Sequence, residues 1–394
     1  MVCTFAQNRQ TSMLEEIASL FKDIYSWKFW LICCLILVWI VQMCYYLGVF
    51  VRIRRKPKVK QYLSPVPVSV VICARNEAAN LREKLPAILE QEYPDFEVIV
   101  VNDSSTDDSA LVLAELKQKY PKLYVTEVPF DRKFSHGKKL ALTVGIKAAK
   151  NEWLLLTDAD CKPVSKWWIK TMSQNFSDQN DIVLGYGGYD QRKGFLNRLI
   201  RYDTVFIAMQ YYTYTDIGMP YMGVGRNMAY RKSLFEKTRG FSSHSYLMSG
   251  DDDIFVNQNA QKGRIVCETN SASFTICEPK ESFSQWNKQK QRHFSASERY
   301  KTKHKVVLAM ETLSRTCFYI GCIALSFFHP LYFITPILFF TRYFVYLYAI
   351  SKASSKFNTK GVAAAGILFD IILPYINALQ LILGKIRKDR LTWK

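Results

Sequence analysis

Three groups of acidic side chains in the sequence have the types and spacing needed for chemistry on phosphate or hydroxyl groups. Asp158 and Asp160 flank one alanine after an apolar run, and such a carboxylate pair can bind Mg²⁺ or Mn²⁺ and, through it, a diphosphate. Asp251–Asp253 are three consecutive carboxylates whose mutual repulsion raises at least one pKa in a desolvated site, as suits a general base. Asp103 follows another apolar run, where a carboxylate can accept hydrogen bonds from a nucleobase or ribose.

Each group also has a simpler structural explanation. Aspartates are common in turns, and Asp251–Asp253 could be an exposed acidic cap on a helix that begins near Ile254. One of residues Ser104–Thr106 could likewise cap the helix that runs through Leu116. No single acidic group therefore decides the function. The helices and strands that position these groups are needed to interpret them.

Those elements predict an α/β domain around a mostly parallel sheet. Val68–Ala74 and Phe96–Asn102 have the composition of buried strands, with a helix from Ala78 to Glu90 between them. A third strand is expected in Glu152–Asp160, after the helix-like segment LALTVGIKAAK. The first and third strands end in polar or acidic residues, at the edge where open α/β sheets bind ligands.

The segments VVICARNEAANL, VIVVNDSSTDDS, HGKKLAL and LLLTDAD, in this order, resemble the nucleotide-binding half of a family 2 glycosyltransferase. The resemblance implies the GT-A fold, a Rossmann-like nucleotide-diphospho-sugar transferase domain, with Asp158 and Asp160 holding a divalent cation, Mg or Mn. Asn102 replaces the first acid of the second motif, so the base-binding role is carried over only to Asp103. By the same resemblance, five side chains line the nucleotide-sugar pocket: Arg75, Glu77, Asp103, Lys138 and Asp158.

Three later segments resemble the acceptor half of the same family. Gly223–Arg231 is similar to a GxGxNxAYR segment, and Gln289–His293 to a QxxRW motif with His293 in the tryptophan position. Without the family, QKQRH is a basic helix face next to the membrane. Reading Gly250–Asp252 as GDD selects Asp252 as the base, whereas another alignment selects Asp251, and we place Asp252 first. The resemblance puts further residues on the acceptor side: Gly225, Asn227, Asp253, Gln289, Arg292 and His293.

Hydrophobic segments flank this domain on both sides. Residues 29–51 carry no formal charge and are long enough for a transmembrane helix, and the basic residues that follow place that end in the cytosol. If the basic tail is cytosolic too, the number of crossings after Tyr300 is even, and one of two or three C-terminal segments lies in the interface or re-enters. We expect five regions: an amphipathic segment (1–28), a transmembrane helix (29–51), a basic linker (52–63), the GT-A domain (64–300) and a membrane region with a basic tail (301–394).

Composition restricts the partners and the compartment. The formal net charge of +19 predicts attraction to anions, and the position of a basic cluster directly after an apolar segment favours lipid headgroups over nucleic acid. The ten cysteines show no CxxC spacing, which predicts free thiols in a reducing compartment.

Together these features predict an inner- or plasma-membrane enzyme with a cytoplasmic catalytic domain. It would transfer a sugar from a UDP- or GDP-sugar to a lipid-linked or polysaccharide acceptor of the cell envelope, with inversion at the anomeric carbon. A processive polysaccharide synthase of the same fold is the first alternative, although His293 and the few membrane segments argue against it. A non-catalytic membrane adaptor is another, whereas an oxidoreductase would need GxGxxG after the first strand, and CARNEAANL contains no glycine.

Overall fold

The computed structural model describes residues 27–54, 65–129, 137–247, 249–327 and 334–386. The segment before Trp27, most of the basic linker and most of the basic tail lie outside the described residues, and so do the predictions made for them.

A seven-stranded sheet forms the centre of the described part of the domain, in the order β3-β2-β1-β4-β8-β6-β9. Strands β1 to β4 run parallel, whereas β8 is antiparallel to both β4 and β6. The predicted α/β class is confirmed. The strands are β1 (Val68–Ala74), β2 (Phe96–Asp103), β3 (Leu123–Val128), β4 (Trp153–Leu156), β6 (Ile182–Leu184), β8 (Met228–Arg231) and β9 (Ile265–Cys267).

Helices cover the sheet and continue into a membrane-type bundle. They are α1 (Trp27–Met43), α2 (Ala78–Leu89), α3 (Ser109–Lys119), α4 (Lys138–Ala148), α5 (Trp168–Ser173), α6 (Phe195–Asp216), α7 (Lys232–Lys237), α8 (Asp253–Asn259), α9 (Phe283–Ser297), α10 (Thr302–Ser326), α11 (Ile334–Lys356) and α12 (Val362–Ile386). Strand β1 is buried at every residue because helices pack on both faces of the sheet, which explains its continuous apolar run. Strand β3 was not predicted, since half-exposed residues interrupt its apolar positions.

Two tight turns close β1 and β2 at the same edge of the sheet. Asn76 and Ser104 both adopt positive φ, at 56° and 53°, a left-handed conformation that asparagine tolerates better than most residues. The Asn76 carboxamide oxygen accepts the Thr106 backbone N–H at 2.8 Å, so the two turns are joined. The predicted cap from Ser104–Thr106 is wrong, because α3 begins only at Ser109, whose N–H donates to the Asp107 carboxylate. The other oxygen of that carboxylate accepts the Ala78 N–H.

A second, three-stranded sheet lies beside the end of β4 in the described chain. It consists of β5 (Cys161–Pro163), β10 (Thr275–Cys277) and β7 (Gly187–Tyr189), with β10 in the middle. Cys161 and Cys277 are paired residues on β5 and β10 and form a disulfide. The prediction that all cysteines are free is therefore wrong, because strand pairing brings together two thiols that are far apart in the sequence.

Among the described residues, three helices are long and apolar enough to cross a membrane: Phe29–Ile53, Thr302–Ser326 and Ile334–Lys356. The first continues from α1 through a π-helical and a 3₁₀ turn to Arg54. Helix α12 has a shorter apolar stretch, Leu368–Leu381, and packs along α6 of the catalytic domain. Along the chain, these helices precede and follow the α/β domain, in agreement with the predicted fold class.

Helix α6 connects the membrane-type helices to the sheet. It buries 17 of its 22 residues, because α11 and α12 pack against it and it also contacts strands β7 and β9. The Tyr211 hydroxyl donates to the Gly185 carbonyl at the end of β6, at 2.9 Å. The Tyr202 hydroxyl accepts from Tyr346 of α11 at 3.0 Å.

A polar network is buried between the membrane-type helices. The Gln42 side chain of α1 donates to Ser314 of α10 at 2.8 Å and accepts from Arg342 of α11 at 2.9 Å. Asp370 of α12 is fully buried and forms ion pairs with both Arg315 and Arg342. Since the pairing neutralises charges that are costly in an apolar layer, it holds the four helices in register.

Candidate functional site

Lys138 joins two of the predicted motifs in one cleft. It is the first residue of α4, and its ammonium lies 2.8 Å from Asp158, after β4, and 3.0 Å from Asp251, before α8. The antiparallel pairing of β4 with β8 positions these elements, because β8 is preceded by the Gly223–Asn227 loop that faces α8. The structure thus places a cation between the predicted donor side and the predicted base motif.

The three consecutive aspartates lie in different environments. Asp251 is 7% exposed, and although burial raises its pKa, the Lys138 ammonium more than offsets this and the pKa is lowered. Burial raises the pKa of Asp252, and the negative charge of Asp251 raises it further. Asp252 is partly exposed and accepts the Gly225 and Asp253 backbone N–H groups, each at 2.8 Å. Asp252 is therefore the member of the triplet with access to the cleft and a raised proton affinity.

Asp253 faces the protein interior. It is 5% exposed, and its carboxylate accepts the Tyr300 hydroxyl at 2.7 Å and the Ile254 N–H at 2.7 Å. Burial and the neighbouring Asp252 raise its pKa well above the ordinary range. Asp253 thus fixes the start of α8 against Tyr300 instead of reaching the cleft, where it was expected on the acceptor side.

Asp158 and Asp160 form a turn between β4 and β5. Asp158 is about one third exposed and bonded to Lys138, whereas burial, with the Asp158 charge, raises the pKa of Asp160. A divalent cation would relieve this carboxylate repulsion, and two hard oxygen ligands at a partly open turn suit Mg²⁺ or Mn²⁺. The donor set therefore fits the predicted metal. Cys161 and Cys277 lie beside Asp160, but their disulfide removes both thiolates as ligands.

The predicted nucleotide residues lie at the ends of β1 and β2. An Arg75 guanidinium nitrogen is 3.9 Å from an Asp103 carboxylate oxygen, and the Asp103 side chain is fully buried. Burial raises the pKa of Glu77, which accepts a hydrogen bond from Asn80. Asn102, the departure from the family pattern, is 5% exposed, and its carboxamide oxygen has no hydrogen-bond partner among the described residues.

The glycine loop before β8 brings backbone close to the site. A Cβ at Gly225 would lie 3.4 Å from the Lys138 ammonium and 3.5 Å from Asp252, in ordinary van der Waals contact, so the backbone at Gly225 lies directly beside both groups. Asn227 is fully buried, and its carboxamide bonds the Tyr186 and Ser273 carbonyls and the Trp168 indole. The structure thus brings Gly225 to the cleft, whereas Asn227 supports the loop from beneath.

The remaining acceptor-side residues lie on α9. Gln289 donates to the Tyr189 hydroxyl at 3.1 Å, and Arg226 donates to the same hydroxyl at 2.8 Å. Arg292 is half-buried, and His293 is exposed. Helix α9 is fixed to α6 by the buried pair of Lys290 with Asp203, at 2.9 Å.

Sequence reasoning missed three residues of this arrangement: Tyr189, Arg226 and Tyr300. Arg226 occupies a variable position of the glycine segment, and its importance comes from contact with β7, which no sequence spacing indicates. The signal for Tyr300 was its place at the end of the domain, which by itself names no partner.

The comparisons with known proteins agree with this geometry. Residues 69–239 match the family model described as Glycosyl transferase family 2. The probable glycosyltransferase YdaM of Bacillus subtilis is 28% identical over 200 residues, 48% of this chain and 46% of that protein. A poly-beta-1,6-N-acetyl-D-glucosamine synthase of Staphylococcus epidermidis is 33% identical over 93 residues, 24% of this chain and 21% of that protein. The chain thus spans less than half the length of these curated relatives.

A solved structure supports the fold. The mannosyltransferase PcManGT from Pyrobaculum calidifontis, in complex with GDP-Man and Mn²⁺, superposes with a TM-score of 0.54 at 18% identity, covering 84% of this chain and 98% of that one. At this identity the likeness shows the fold alone. The family predicted from the ordered motifs is confirmed, and the chain carries a family 2 glycosyltransferase domain of the GT-A fold.

Proposed function

We propose that this protein is a membrane-bound inverting glycosyltransferase that moves a sugar from a UDP- or GDP-sugar to a lipid-linked or cell-envelope saccharide. The observation that carries the proposal is the Lys138 ammonium, bonded to Asp158 on one side and Asp251 on the other. The donor-side turn and the base motif therefore share one cleft. Asp252, directly beside this contact, supplies the group that the transfer reaction requires.

In the proposed reaction, Asp252 takes the proton from the acceptor hydroxyl. Its raised pKa strengthens it as a base, and the two backbone N–H bonds from Gly225 and Asp253 fix its orientation. The hydroxyl oxygen attacks the anomeric carbon, and the bond to the diphosphate breaks on the opposite face. Asp251 remains ionised beside Lys138 and orients that ammonium toward the leaving group.

Asp158 and Asp160 are the residues that would hold Mg²⁺ or Mn²⁺. When bound, the cation would supply positive charge to the departing diphosphate. The neighbour PcManGT was solved with Mn²⁺ and GDP-Man, which supports a divalent cation and a nucleotide-sugar here. Arg75, Glu77 and Asp103, at the ends of β1 and β2, are proposed to hold the nucleotide.

Membrane attachment supports a membrane-bound acceptor. The apolar helix Ile334–Lys356, α12 and the end of the first apolar helix pack against α6, which also contacts β7 and β9. A cytoplasmic orientation rests on the basic residues after α1, because the disulfide removes the argument from free thiols. The cleft and the apolar layer are thus close enough for a lipid-linked saccharide to reach both.

A processive synthase of the same fold is a second candidate, favoured by the name of the Staphylococcus epidermidis relative. Product length separates the two: one added sugar per acceptor supports simple transfer, and a ladder of oligomers supports the synthase.

Thermal unfolding of the purified full-length protein tests the proposal. UDP-glucose, UDP-N-acetylglucosamine and GDP-mannose are added with and without Mn²⁺ or Mg²⁺. A donor at a hundredfold excess over its Kd should stabilise the protein by about 2.7 kcal/mol. The metal-dependent part should be lost in Asp158→Asn and Asp160→Asn and kept in Glu115→Gln, a change at an exposed position of α3. If nucleotide-sugars with metal leave the unfolding temperature unchanged, the proposed function is wrong.

A further inference from the structure

A cavity of about 650 Å³ lies between α4 and the segment that begins in α7. One wall is the face of α4 from Gly137 to Lys147, and the other is the segment from Phe235 to Leu247. The volume is within the range of about 300–1,000 Å³ that small-molecule sites occupy. Asp158, Asp160 and Asp103, which are proposed to hold the metal and the nucleotide, do not line this cavity. It is therefore separate from the proposed donor positions.

The inner walls of the cavity present apolar surface. Six of the lining side chains are aliphatic or aromatic: Leu140, Ile146, Phe235, Phe241, Tyr246 and Leu247. The Lys139 ammonium between them is already bonded, to the His244 carbonyl at 2.6 Å and the Leu247 carbonyl at 2.9 Å. The Thr143 hydroxyl donates within α4 to the Lys139 carbonyl at 2.7 Å. An apolar group can therefore replace water along these walls without breaking these hydrogen bonds.

One end of the cavity adjoins the proposed base. Lys138 lines the cavity, and its ammonium is bonded to Asp158 and Asp251 in the cleft. The wall from Phe235 to Leu247 leads along the chain into Asp251 and Asp252. The buried His244 ring fixes this connection, because its Nε2 atom lies 2.9 Å from the Gly250 carbonyl, directly before Asp251. Since the base must contact the acceptor hydroxyl, the cavity lies next to the group that defines the acceptor position.

The same wall also lies beside the start of a membrane-type helix. The Arg299 guanidinium lies over the Tyr246 ring, 5.3 Å from its centroid. The Ser243 hydroxyl donates to the Gln258 carboxamide at 2.9 Å, and the Gln258 carbonyl accepts the Lys301 ammonium at 3.1 Å. Lys301 directly precedes α10, one of the three helices long and apolar enough to cross a membrane. The cavity is thus bounded by the segment that meets the chain where it enters the apolar layer.

The cavity fits the hydrocarbon chain of an amphiphile better than a saccharide. Helix α4 rises about 14 Å from Lys138 to Lys147, so the apolar walls are long enough for an extended chain. A saccharide needs hydrogen-bonding groups along its length, whereas Lys139 and Thr143 are bonded elsewhere. The rim is charged, because Lys147 and Arg239 are exposed there. An apolar interior with a charged rim is the pattern expected for a lipid at a membrane surface.

We propose that this cavity holds the hydrocarbon chain of the acceptor, so that the acceptor is a lipid or a lipid-linked saccharide whose hydroxyl reaches Asp252 past Lys138. This inference rests on the proposed glycosyltransferase function and narrows its acceptor to a lipid-borne molecule. A membrane lipid that is not an acceptor has the same chain chemistry, and the experiment separates the two sources.

The first measurement tests the cavity with chains alone. Hexanol, octanol and decanol are titrated by calorimetry into nanodiscs that contain the full-length protein, and the heats from nanodiscs without protein are subtracted. Each added CH₂ should raise the affinity by up to about fourfold, which corresponds to about 0.8 kcal/mol per buried CH₂. Thr143→Trp fills the cavity and should remove this dependence on chain length. Leu140→Ser, at the partly exposed edge of the cavity, should weaken decanol binding about threefold to tenfold, whereas Leu111→Ser, at an exposed position of α3, should not.

The second measurement shows whether the bound lipid is the acceptor. The protein is extracted into nanodiscs with the lipids of its own membrane, and a nucleotide-sugar that stabilises it in thermal unfolding is added. Mass spectrometry of the lipids should show one species that gains the mass of a sugar, at least about tenfold more slowly with Thr143→Trp and at an unchanged rate with Leu111→Ser. Nucleotide-sugar affinity, unchanged within about threefold, shows that each variant is folded.

Three results would overturn the proposal: no gain in affinity with chain length, equal rates in the unaltered protein and Thr143→Trp, or lipids that stay unmodified although the nucleotide-sugar binds. If no nucleotide-sugar binds to the unaltered protein, the proposed function itself is contradicted. The alkanol titrations need no donor, so they would still decide whether the cavity binds a hydrocarbon chain.

Discussion

Replacing Asp252 with asparagine should remove most of the transfer activity while leaving the donor bound. The change keeps the size of the side chain but removes the base, and general-base catalysis contributes about 10²- to 10⁴-fold to a rate. At 1.36 kcal/mol for each tenfold change, this corresponds to a barrier raised by about 3–5 kcal/mol. Transfer is followed by mass spectrometry of the acceptor once a donor has been identified, and donor binding by calorimetry.

The structure also gives the expected effect on stability. The two Asp252 carboxylate oxygens each accept one backbone N–H, from Gly225 and from Asp253. Asparagine has a single oxygen, so one of these hydrogen bonds is lost, at about 1 kcal/mol. Removing the repulsion between Asp252 and Asp251 offsets part of that loss. We therefore expect a nearly unchanged unfolding temperature, which excludes misfolding as the cause of inactivity.

The pH profile provides an independent check. Because Asp252 must be ionised to accept a proton and its pKa is raised, kcat/KM should fall as pH decreases through a value above that of an ordinary aspartate. Asp251→Asn is the matched comparison: it frees Lys138 from one partner and should raise the donor KM more than it lowers kcat. If Asp252→Asn keeps more than about a tenth of the activity, the reasoning is refuted, because loss of a general base should lower the rate at least about 100-fold.

Three further changes test other parts of the structure. Lys138→Met leaves Asp158 and Asp251 without their cation, and we expect a loss of stability of about 1–5 kcal/mol, because Asp251 is buried whereas Asp158 is partly exposed; added Mn²⁺ should restore part of it in thermal unfolding. The double variant Cys161→Ser, Cys277→Ser opens a loop closed across a sequence separation of 116, so it should lose at most about 5 kcal/mol and become insensitive to dithiothreitol; equal sensitivity in both proteins would exclude the disulfide. Asp370→Asn removes the carboxylate shared by Arg315 and Arg342, and we expect a loss of about 3–5 kcal/mol in detergent, whereas Ser355→Ala at an exposed position of α11 should have little effect.

Much of the sheet could be predicted because its strands are buried on both faces. Val68–Ala74 and Phe96–Asp103 are continuous apolar runs, and the turn residues that follow them mark where they end. Strand β3 has no such run, and β5, β7 and β10 have three residues each, too few for any periodicity. The motifs could be recognised in order because each one closes a strand or starts a helix.

The direction of individual side chains could not be predicted. The sequence presents Asp251, Asp252 and Asp253 as equivalent, and only the positions of Lys138, Gly225 and Tyr300 make them different. The disulfide and the contact of Arg226 with Tyr189 likewise depend on the pairing of β10 with both β5 and β7. Long-range pairing of short strands has no local signature in a single sequence.

The buried ion pairs of the helix bundle also affect how the chain is made. Arg315 and Arg342 are synthesised before Asp370, so under the proposed membrane attachment α10 and α11 would meet the lipid before one of their acidic partners has left the ribosome. Each arginine at the centre of an isolated helix opposes insertion by about 2.5–3.5 kcal/mol. We therefore expect that, if these helices insert, a nascent chain halted before Asp370 inserts α10 and α11 less completely than a chain that includes α12.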